Sequence, residues 1–411
     1  MSSPSTTEAL GEPVVPVRRS WMTWLFLANL GLWLGVYAPI QVLLPQQAEL
    51  FDKANKELVF GLVTGAGAIA ALVANPLIGL LSDRTTSRFG RRHPWTLAGA
   101  LLGATGLVVL ANAPSITVMT IGWCLVQAGL NGMLASLTSV VPDQVPVGQR
   151  ATVGGLVGIS QMLGTVLGAV VVTLLVTGIQ NGYLACAAIV VAGALLFVSV
   201  TPDVRLPKAL RPSFVLREMW ISPKEHPDFS WAWGCHFMIN LGNAFGTLYL
   251  LFFLADVVHY PSPEDGLLIL MGLYGAALVV GAVVFGAMSD RSGKRKPFVY
   301  VAVVIMVVAA LVLVVWQTWT AALIAAPLLG VGYGIYMAVS LALLTQVLPA
   351  AADRAKDLGV INIANSLPQV VAPLLTTIVL ANLGGYRGLF AVSALATLIA
   401  GVLVARVRSV S

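Results

Sequence analysis

Long apolar runs separated by short polar loops are the feature that most constrains the fold of this chain. A helix that crosses a lipid bilayer needs about 20 mostly apolar residues. Twelve such runs cover residues 21–46, 58–81, 95–113, 116–141, 151–178, 182–201, 230–256, 266–288, 298–316, 319–347, 356–382 and 386–405. The bilayer core contains no water to pair with backbone groups, and a helix satisfies its backbone hydrogen bonds within the segment itself. The sequence therefore predicts an all-α membrane protein with twelve transmembrane helices.

The composition agrees with a surface that faces lipid. Hydrophobic residues make up 58% of the 411 residues and charged residues only 10%, whereas an ordinary soluble domain carries roughly 25% charged residues. The net charge of +6 does not indicate nucleic-acid binding, because the basic residues lie in short loops between the apolar runs. We therefore expect the lipid bilayer, and no nucleic acid, as the partner of this surface.

The distribution of lysine and arginine predicts the orientation in the membrane. If the chain crosses twelve times, one side receives only Lys53, Lys56 and Arg387, which leaves 20 of the 23 basic residues (23 − 3) on the side of both termini. Cytoplasmic loops carry the excess of basic residues. The sequence predicts a multi-pass protein of the cytoplasmic (inner) membrane with both termini in the cytoplasm.

The chain divides into two related halves. The longest loop, residues 202–229, separates a bundle over 21–201 from a bundle over 230–406, and residues 1–20 form a polar cytoplasmic tail. Two short patterns recur in both halves: Phe26–Gly31 matches Phe237–Gly242, and Ser82-Asp83-Arg84 matches Ser289-Asp290-Arg291. Repeated halves are common in secondary transporters, so we expect two pseudo-symmetric six-helix bundles.

The two loops that contain the repeated Ser-Asp-Arg resemble a known family signature. Residues 286–296 resemble the Gly-x-x-x-Asp-Arg-x-Gly-Arg-Lys loop of the major facilitator superfamily, and residues 79–92 give a copy with four extra residues. This longer copy, together with residues 357–369, resembles the sucrose-type and glycoside–pentoside–hexuronide branch. The resemblance implies the major facilitator fold and a secondary transporter of a small, neutral solute such as a sugar or glycoside.

The acidic residues of these loops are candidate gating residues. A carboxylate at Asp83 or Asp290 can accept hydrogen bonds from an arginine or from the N-terminal amides of a neighbouring helix. Such a pairing would hold the cytoplasmic helix ends together in one state of the transport cycle and break in the other. The remaining candidates in this set are Arg84, Arg91, Asp143, Arg150, Arg291, Asp353 and Arg354. The alternative is that these charges only determine topology.

Polar and aromatic residues form one-sided stripes along five of the predicted spans. The stripes are Asn29, Trp33 and Tyr37; Gln127 and Asn131; His236, Asn240, Asn243 and Thr247; Tyr333 and Tyr336; and Asn362, Asn365 and Gln369. Their helical spacing places each set on one face, and polar groups in spans tend to face the bundle interior. The resemblance implies that spans one, four, seven and ten line a central cavity. Hydrogen bonding between helices is the alternative role.

The chemistry of these stripes favours a neutral solute. Amides, hydroxyls and flat rings suit sugars, and they also suit a neutral or amphipathic drug-like compound, whose efflux is the alternative function. His236 is the only ionisable side chain on the stripes apart from tyrosine. A coupling proton, a sodium ion held by neutral oxygens and facilitated diffusion therefore stay open.

Two rival classes of protein receive less support from the sequence. A membrane enzyme would need a nucleophile, a carboxylate pair or a metal-binding motif, and we find none, so we expect no enzymatic activity and no cofactor. In a receptor or scaffold, the repeated loops and the polar stripes would have no function. We expect a monomer. The glycines of the fifth span, Gly154, Gly155, Gly158, Gly164 and Gly168, predict close helix packing.

Overall fold

The computed structural model describes residues 13–206, 225–347 and 354–409, and twelve long helices account for most of them. They are α1 Arg19–Phe51, α2 Lys56–Asp83, α3 His93–Ala111, α4 Ile116–Gln144, α5 Val147–Val170 continuing into a π-helical turn Val171–Leu175, α6 Ile179–Val200, α7 Pro227–Asp256, α8 Pro263–Ser292, α9 Lys296–Val315, α10 Trp319–Gln346, α11 Arg354–Asn382 and α12 Gly385–Arg406.

The helices meet the requirements of membrane spans. Eleven of those in the described ranges are long and apolar enough to cross a bilayer, and α11 contributes a further apolar stretch over Val371–Asn382. Large apolar side chains also lie on the outside of the protein, such as Val283, Val304 and Leu395, which are 65%, 60% and 57% exposed. Lipid makes such a surface stable. The predicted all-α fold with twelve helices is confirmed.

The helix ends show the local chemistry that the repeated halves share. Ser115 accepts a hydrogen bond from the amide of Val118 at the start of α4, and Thr318 accepts one from Ala321 at the start of α10. Hydroxyl groups at this position replace one of the missing helical acceptors. The helices α3 and α9 each begin with a basic residue or histidine followed by proline, whose fixed φ suits the first turn.

The chain forms two compact units. The first consists of Met1–Val59 and Ala66–Phe214, and the second of Phe60–Gly65 and Val215–Ser411. The core of the second unit includes Ile239, Met306, Tyr336 and Val404 from four different helices. Within the second unit, the Phe60 ring packs on Tyr249 with 5.2 Å between the ring centroids.

The first unit depends on glycine for close packing of α3 against α4. A Cβ atom on Gly129 would lie 2.3 Å from the backbone nitrogen of Gly103, and one on Gly99 would lie 2.7 Å from the carbonyl oxygen of Gly129. Both distances are far below contact, so any side chain there would force the helices apart. The backbones of α3 and α4 are therefore in direct contact.

The glycines of α5 behave in two ways. Cβ atoms on Gly164 and Gly168 would approach Trp33 at 2.6 Å and Ala38 at 3.2 Å on α1, as expected for packing positions. Cβ atoms on Gly154, Gly155 and Gly158 would meet nothing within 4 Å among the described residues. Composition alone does not distinguish these two groups, because both follow helical spacing.

Candidate functional site

The second unit contains a buried, uncharged hydrogen-bond network around His236. The imidazole Nδ1 lies 2.7 Å from the hydroxyl of Tyr336 on α10, and Nε2 lies 2.7 Å from Oδ1 of Asn365 on α11. Because an amide oxygen only accepts, Nε2 carries the hydrogen. The Tyr336 hydroxyl can donate to Nδ1 of a neutral imidazole or accept from Nδ1 of a protonated one, so both nitrogens of His236 are paired.

The same face of α7 continues with two further polar pairs. Asn240 donates from Nδ2 to the carbonyl of His236 at 2.8 Å and accepts at Oδ1 from the hydroxyl of Tyr333 at 2.8 Å. Asn243 accepts from the hydroxyl of Tyr274 on α8 at 3.1 Å. The structure thus brings the stripes of α7, α10 and α11 together, and it adds Tyr274, which the sequence analysis missed because it is the one polar residue on an apolar helix face.

Thr247 stands at the end of the α7 stripe and beside an apolar cavity. Its hydroxyl donates to the carbonyl of Asn243 at 3.0 Å. The cavity is lined mainly by alanine and leucine side chains, with Tyr274 and Ser393 as its other polar neighbours. A solute-binding role for Thr247 at this end of the stripe stays a prediction.

The first unit presents a separate aromatic and amide face. Trp33 and Tyr37 of α1 stack with 5.7 Å between ring centroids, and Gln161 of α5 donates to the hydroxyl of Tyr37 at 3.4 Å. The indole nitrogen of Trp33 is a buried donor without an acceptor among the described residues. Gln161 was also missed in the sequence, because a single amide among many glycines gives no stripe.

The remaining predicted residues of this unit bond locally. Asn131 donates to the backbone carbonyl and to the side-chain oxygen of Gln127, both at 3.0 Å. Asn29 is 1% exposed and donates to the carbonyl of Leu25 at 2.9 Å. Asn29 and Asn240 occupy matching positions of the two halves, yet only Asn240 pairs with a side chain of another helix.

The first signature loop forms a charge cluster, which we define as Asp83, Arg91, Arg92 and Asp143. Both arginines bind Asp143: Arg91 through Nε at 3.0 Å together with a second contact from Nη2, and Arg92 through Nε at 2.7 Å. Arg92 also reaches Asp83 at 2.6 Å. Burial alone would lower the pKa of Arg92, but the Asp143 and Asp83 carboxylates outweigh it and raise the pKa above its ordinary value.

The two loops repeat one contact in detail. The Ser82 hydroxyl donates to the carbonyl of Arg91 at 3.2 Å and accepts from Nη1 of Arg92 at 2.9 Å. The Ser289 hydroxyl donates to the carbonyl of Lys294 at 2.8 Å and accepts from Nη1 of Arg295 at 2.7 Å. Each serine therefore connects the end of one helix, α2 or α8, to the basic residues that precede the next helix, α3 or α9.

Of the other predicted gating residues, the structure describes the side chains of two, Arg84 and Arg291. Arg84 is half-buried and lines a surface cleft with Thr85, Thr86 and Trp95, and Arg291 is exposed. The described residues do not include Asp353, nor the side chains of Arg150, Asp290, Arg354, Asn362 and Gln369.

Comparison with known proteins identifies the family. The family model described as Major Facilitator Superfamily matches residues 21–272 and again 233–411, which together cover almost the whole chain. The chain belongs to the major facilitator superfamily. Because this is a superfamily of transporters, membership also confirms the expectation that the protein is not an enzyme.

Two curated relatives narrow the resemblance within the major facilitator superfamily. The General alpha-glucoside permease of Schizosaccharomyces pombe is 31% identical over 123 residues, which cover 25% of this chain and 22% of the permease. The Sucrose transport protein SUT1 of Oryza sativa subsp. japonica is 44% identical over 50 residues, covering 12% and 9% of the two chains. The matched segments thus span less than a quarter of either relative. They agree with the predicted sugar-type branch.

A solved structure supports the fold. The crystal structure of a human organic anion transporter superposes with a TM-score of 0.73 at 18% identity, and the match covers 95% of this chain and 100% of that one. At this identity, the similarity concerns the fold and not the solute.

Proposed function

We propose that this protein is a secondary transporter that moves a small neutral solute, a sugar or glycoside, across the cytoplasmic membrane by alternating access, with both termini inside. The observation that carries the proposal is the uncharged hydrogen-bond network of His236, Tyr336 and Asn365, which continues through Asn240 and Tyr333. These groups offer donors and acceptors to hydroxyl groups without presenting a charge.

The charge distribution favours a neutral solute over an ionic one. None of the residues that form the polar stripes is a lysine, an arginine or a carboxylate. An ionic group of a solute would lose its hydration there without gaining a counter-charge, which is costly in a low-dielectric site. The stacked rings of Trp33 and Tyr37 offer a flat apolar surface of the kind that sugar ring faces use.

Two observations support alternating access between related halves. The family model matches the chain twice, over residues 21–272 and over residues 233–411. The serine–arginine contact of the first signature loop recurs in the second. In a transporter built from repeats, the two halves move as bodies around a site near the midplane. Cysteine pairs that join the helix end at Asp83 to that at Asp290 are expected to cross-link in one state only; cross-linking in every state contradicts the proposal.

We propose a proton as the coupling ion and His236 as the residue that takes it up. In the described arrangement both side-chain partners of the imidazole, Tyr336 and Asn365, are neutral and favour its neutral form. Protonation requires only that the Tyr336 hydroxyl turns so that it accepts from Nδ1. Solute-dependent proton uptake by proteoliposomes tests this: it should vanish in H236Q. Proton uptake that persists in H236Q, or accumulation driven by sodium, contradicts it.

The solute class is tested by binding to the purified protein. Neutral disaccharides and glucosides should raise the melting temperature, and the shift should shrink in Y336F and N240A, because both variants remove a partner from the network. Stabilisation only by lipophilic amphiphiles, together with higher sensitivity of a deletion strain to such compounds, would instead support efflux.

A further inference from the structure

Asp203 lies in the segment that follows α6, and its carboxylate binds the start of α3. Oδ2 accepts hydrogen bonds from the backbone amides of Arg92 and His93, both at 2.7 Å, and Oδ1 accepts from the amide of Val204 at 2.7 Å. The carbonyl of Val204 accepts from the amide of Arg91 at 3.1 Å. A carboxylate at a helix N-terminus satisfies free amides and interacts favourably with the helix dipole.

The surroundings of Asp203 are shaped to receive this carboxylate. Gly90 has a φ of +92°, and a Cβ atom on it would lie 2.1 Å from Oδ2 of Asp203. The two residues before Asp203 also make contacts: the Thr201 hydroxyl lies 3.2 Å from Nε2 of His93, and Gln144 of α4 donates to the carbonyl of Pro202 at 3.0 Å. The segment 201–204 thus contacts both α3 and α4.

The amides that Asp203 binds belong to the backbone that carries the charge cluster. The side chain of Arg92 starts from one of these residues, and that of Arg91 starts from the residue before it. Both guanidinium groups end on Asp143, which they reach only if the backbone before α3 keeps its present direction. Displacement of that backbone would pull both arginines from Asp143 at once.

We propose that Asp203 is a positioning residue for gating. It holds the N-terminus of α3 so that Arg91 and Arg92 reach Asp143 and Asp83, and it thereby controls how readily the charge cluster opens during transport. This inference rests on the proposed alternating access for its consequence in the cycle, but its structural part does not depend on the solute.

Among the residues of the second half that the structure describes, no carboxylate occupies the corresponding position. The helices α6 and α12 end at Val200 and Arg406, so the third residue after each is Asp203 and Ser409. There, Lys296 at the start of α9 donates to the carbonyl of Val407, and the tail amides of Arg408 and Ser409 donate to Asp228. In the described part of the chain, this arrangement therefore occurs only in the half in which the loop is four residues longer.

Hydrogen–deuterium exchange of the purified protein tests the structural part without any solute. In D203A we expect faster exchange at amides 91–93, where the cap is lost, and also at the end of α4 around Asp143, where the arginines release their partner. The matched control is D228A, which removes another amide-binding aspartate and should leave both regions unchanged. G90A should reproduce the D203A pattern, since its Cβ displaces the carboxylate. Faster exchange confined to amides 91–93 would overturn the proposal, because Asp203 would then be a simple cap.

A double-mutant cycle tests the consequence for turnover. D203A removes the oxygen that accepts from the amides of Arg92 and His93, and its exchange pattern shows whether it folds; D83N should fold because the Asp83 side chain is 49% exposed. We expect D203A to reduce the turnover rate roughly 5- to 30-fold with unchanged solute affinity, and to add little in the D83N background, since coupled residues are not additive. Additive effects, or a change in affinity alone, would overturn the proposal. A protein that transports no sugar at all would refute the proposed function, while the exchange result would still stand.

Discussion

The Tyr336 hydroxyl and Nδ1 of His236 lie 2.7 Å apart although 100 residues separate them in the chain. The contact connects α7 to α10, while on the other side of the ring the amide oxygen of Asn365 determines that Nε2 carries the hydrogen. The hydroxyl of Tyr336 is thus the partner of the remaining ring nitrogen in the proposed solute site.

Y336F should weaken solute binding. The variant keeps the ring but leaves Nδ1 as a buried acceptor without a donor, which costs about 1–3 kcal/mol. If the solute binds this network, its dissociation constant should rise about 5- to 100-fold, measured by titration of the purified protein. Y300F is the control, because Tyr300 is 40% exposed on α9. Equal binding by Y336F and Y300F would remove this network from the site.

Asn240 and Asn29 offer a comparison between matching positions. Asn240 bonds Tyr333 across helices, whereas Asn29 bonds the carbonyl of Leu25 in its own helix. We therefore expect N240A to lower solute affinity by a larger factor than N29A in the same binding assay. A larger effect of N29A would show that the first unit supplies the main contacts.

D143N should destabilise the first unit. Asp143 is the shared partner of Arg91 and Arg92, whose side chains are 8% and 3% exposed. Leaving buried guanidinium groups without their carboxylate costs about 3 kcal/mol, so the melting temperature of the purified protein should fall by several degrees. The control D52N changes a carboxylate that bonds only the neighbouring Asn55 in an exposed turn and should not alter the melting temperature. Equal melting of D143N and wild type would contradict the role of the cluster.

G129A and G154A test the two classes of glycine. A Cβ on Gly129 would meet the backbone of Gly103, whereas one on Gly154 would meet nothing within 4 Å among the described residues. G129A should lower stability by about 1–3 kcal/mol, while G154A should be neutral or slightly stabilising, since alanine is the better helix former. Comparable melting temperatures for the two variants would mean that α3 and α4 can separate freely.

Most of the fold was predictable because lipid imposes a simple rule on sequence. The length of each apolar run predicted a membrane span, but it did not predict the polar turns by which some helices extend beyond the run. For example, α1 was predicted to end at residue 46 and continues to Phe51, and α8 was predicted to end at residue 288 and continues to Ser292. Such turns leave the apolar run yet keep helical hydrogen bonds, so hydropathy does not report them.

The site was predictable where polar residues repeat along a helix and unpredictable where they stand alone. The stripe on α7 predicted His236 and Asn240. In contrast, Tyr274 and Gln161 form their hydrogen bonds as single polar residues on otherwise apolar helices. Asp203 was missed for a different reason. It reaches α3 across 111 residues of sequence, and a lone aspartate in a polar loop gives no pattern that distinguishes an amide-binding carboxylate from a solvated one.

Counterflow in proteoliposomes tests the central claim most directly, because it requires a carrier but no assumption about the coupling ion. Vesicles loaded with an unlabelled neutral disaccharide or glucoside should transiently accumulate the labelled compound, and the overshoot should shrink in Y336F and persist in Y300F. Absence of counterflow for every neutral sugar and glycoside, with transport of an amphipathic compound by the same vesicles, would contradict the account.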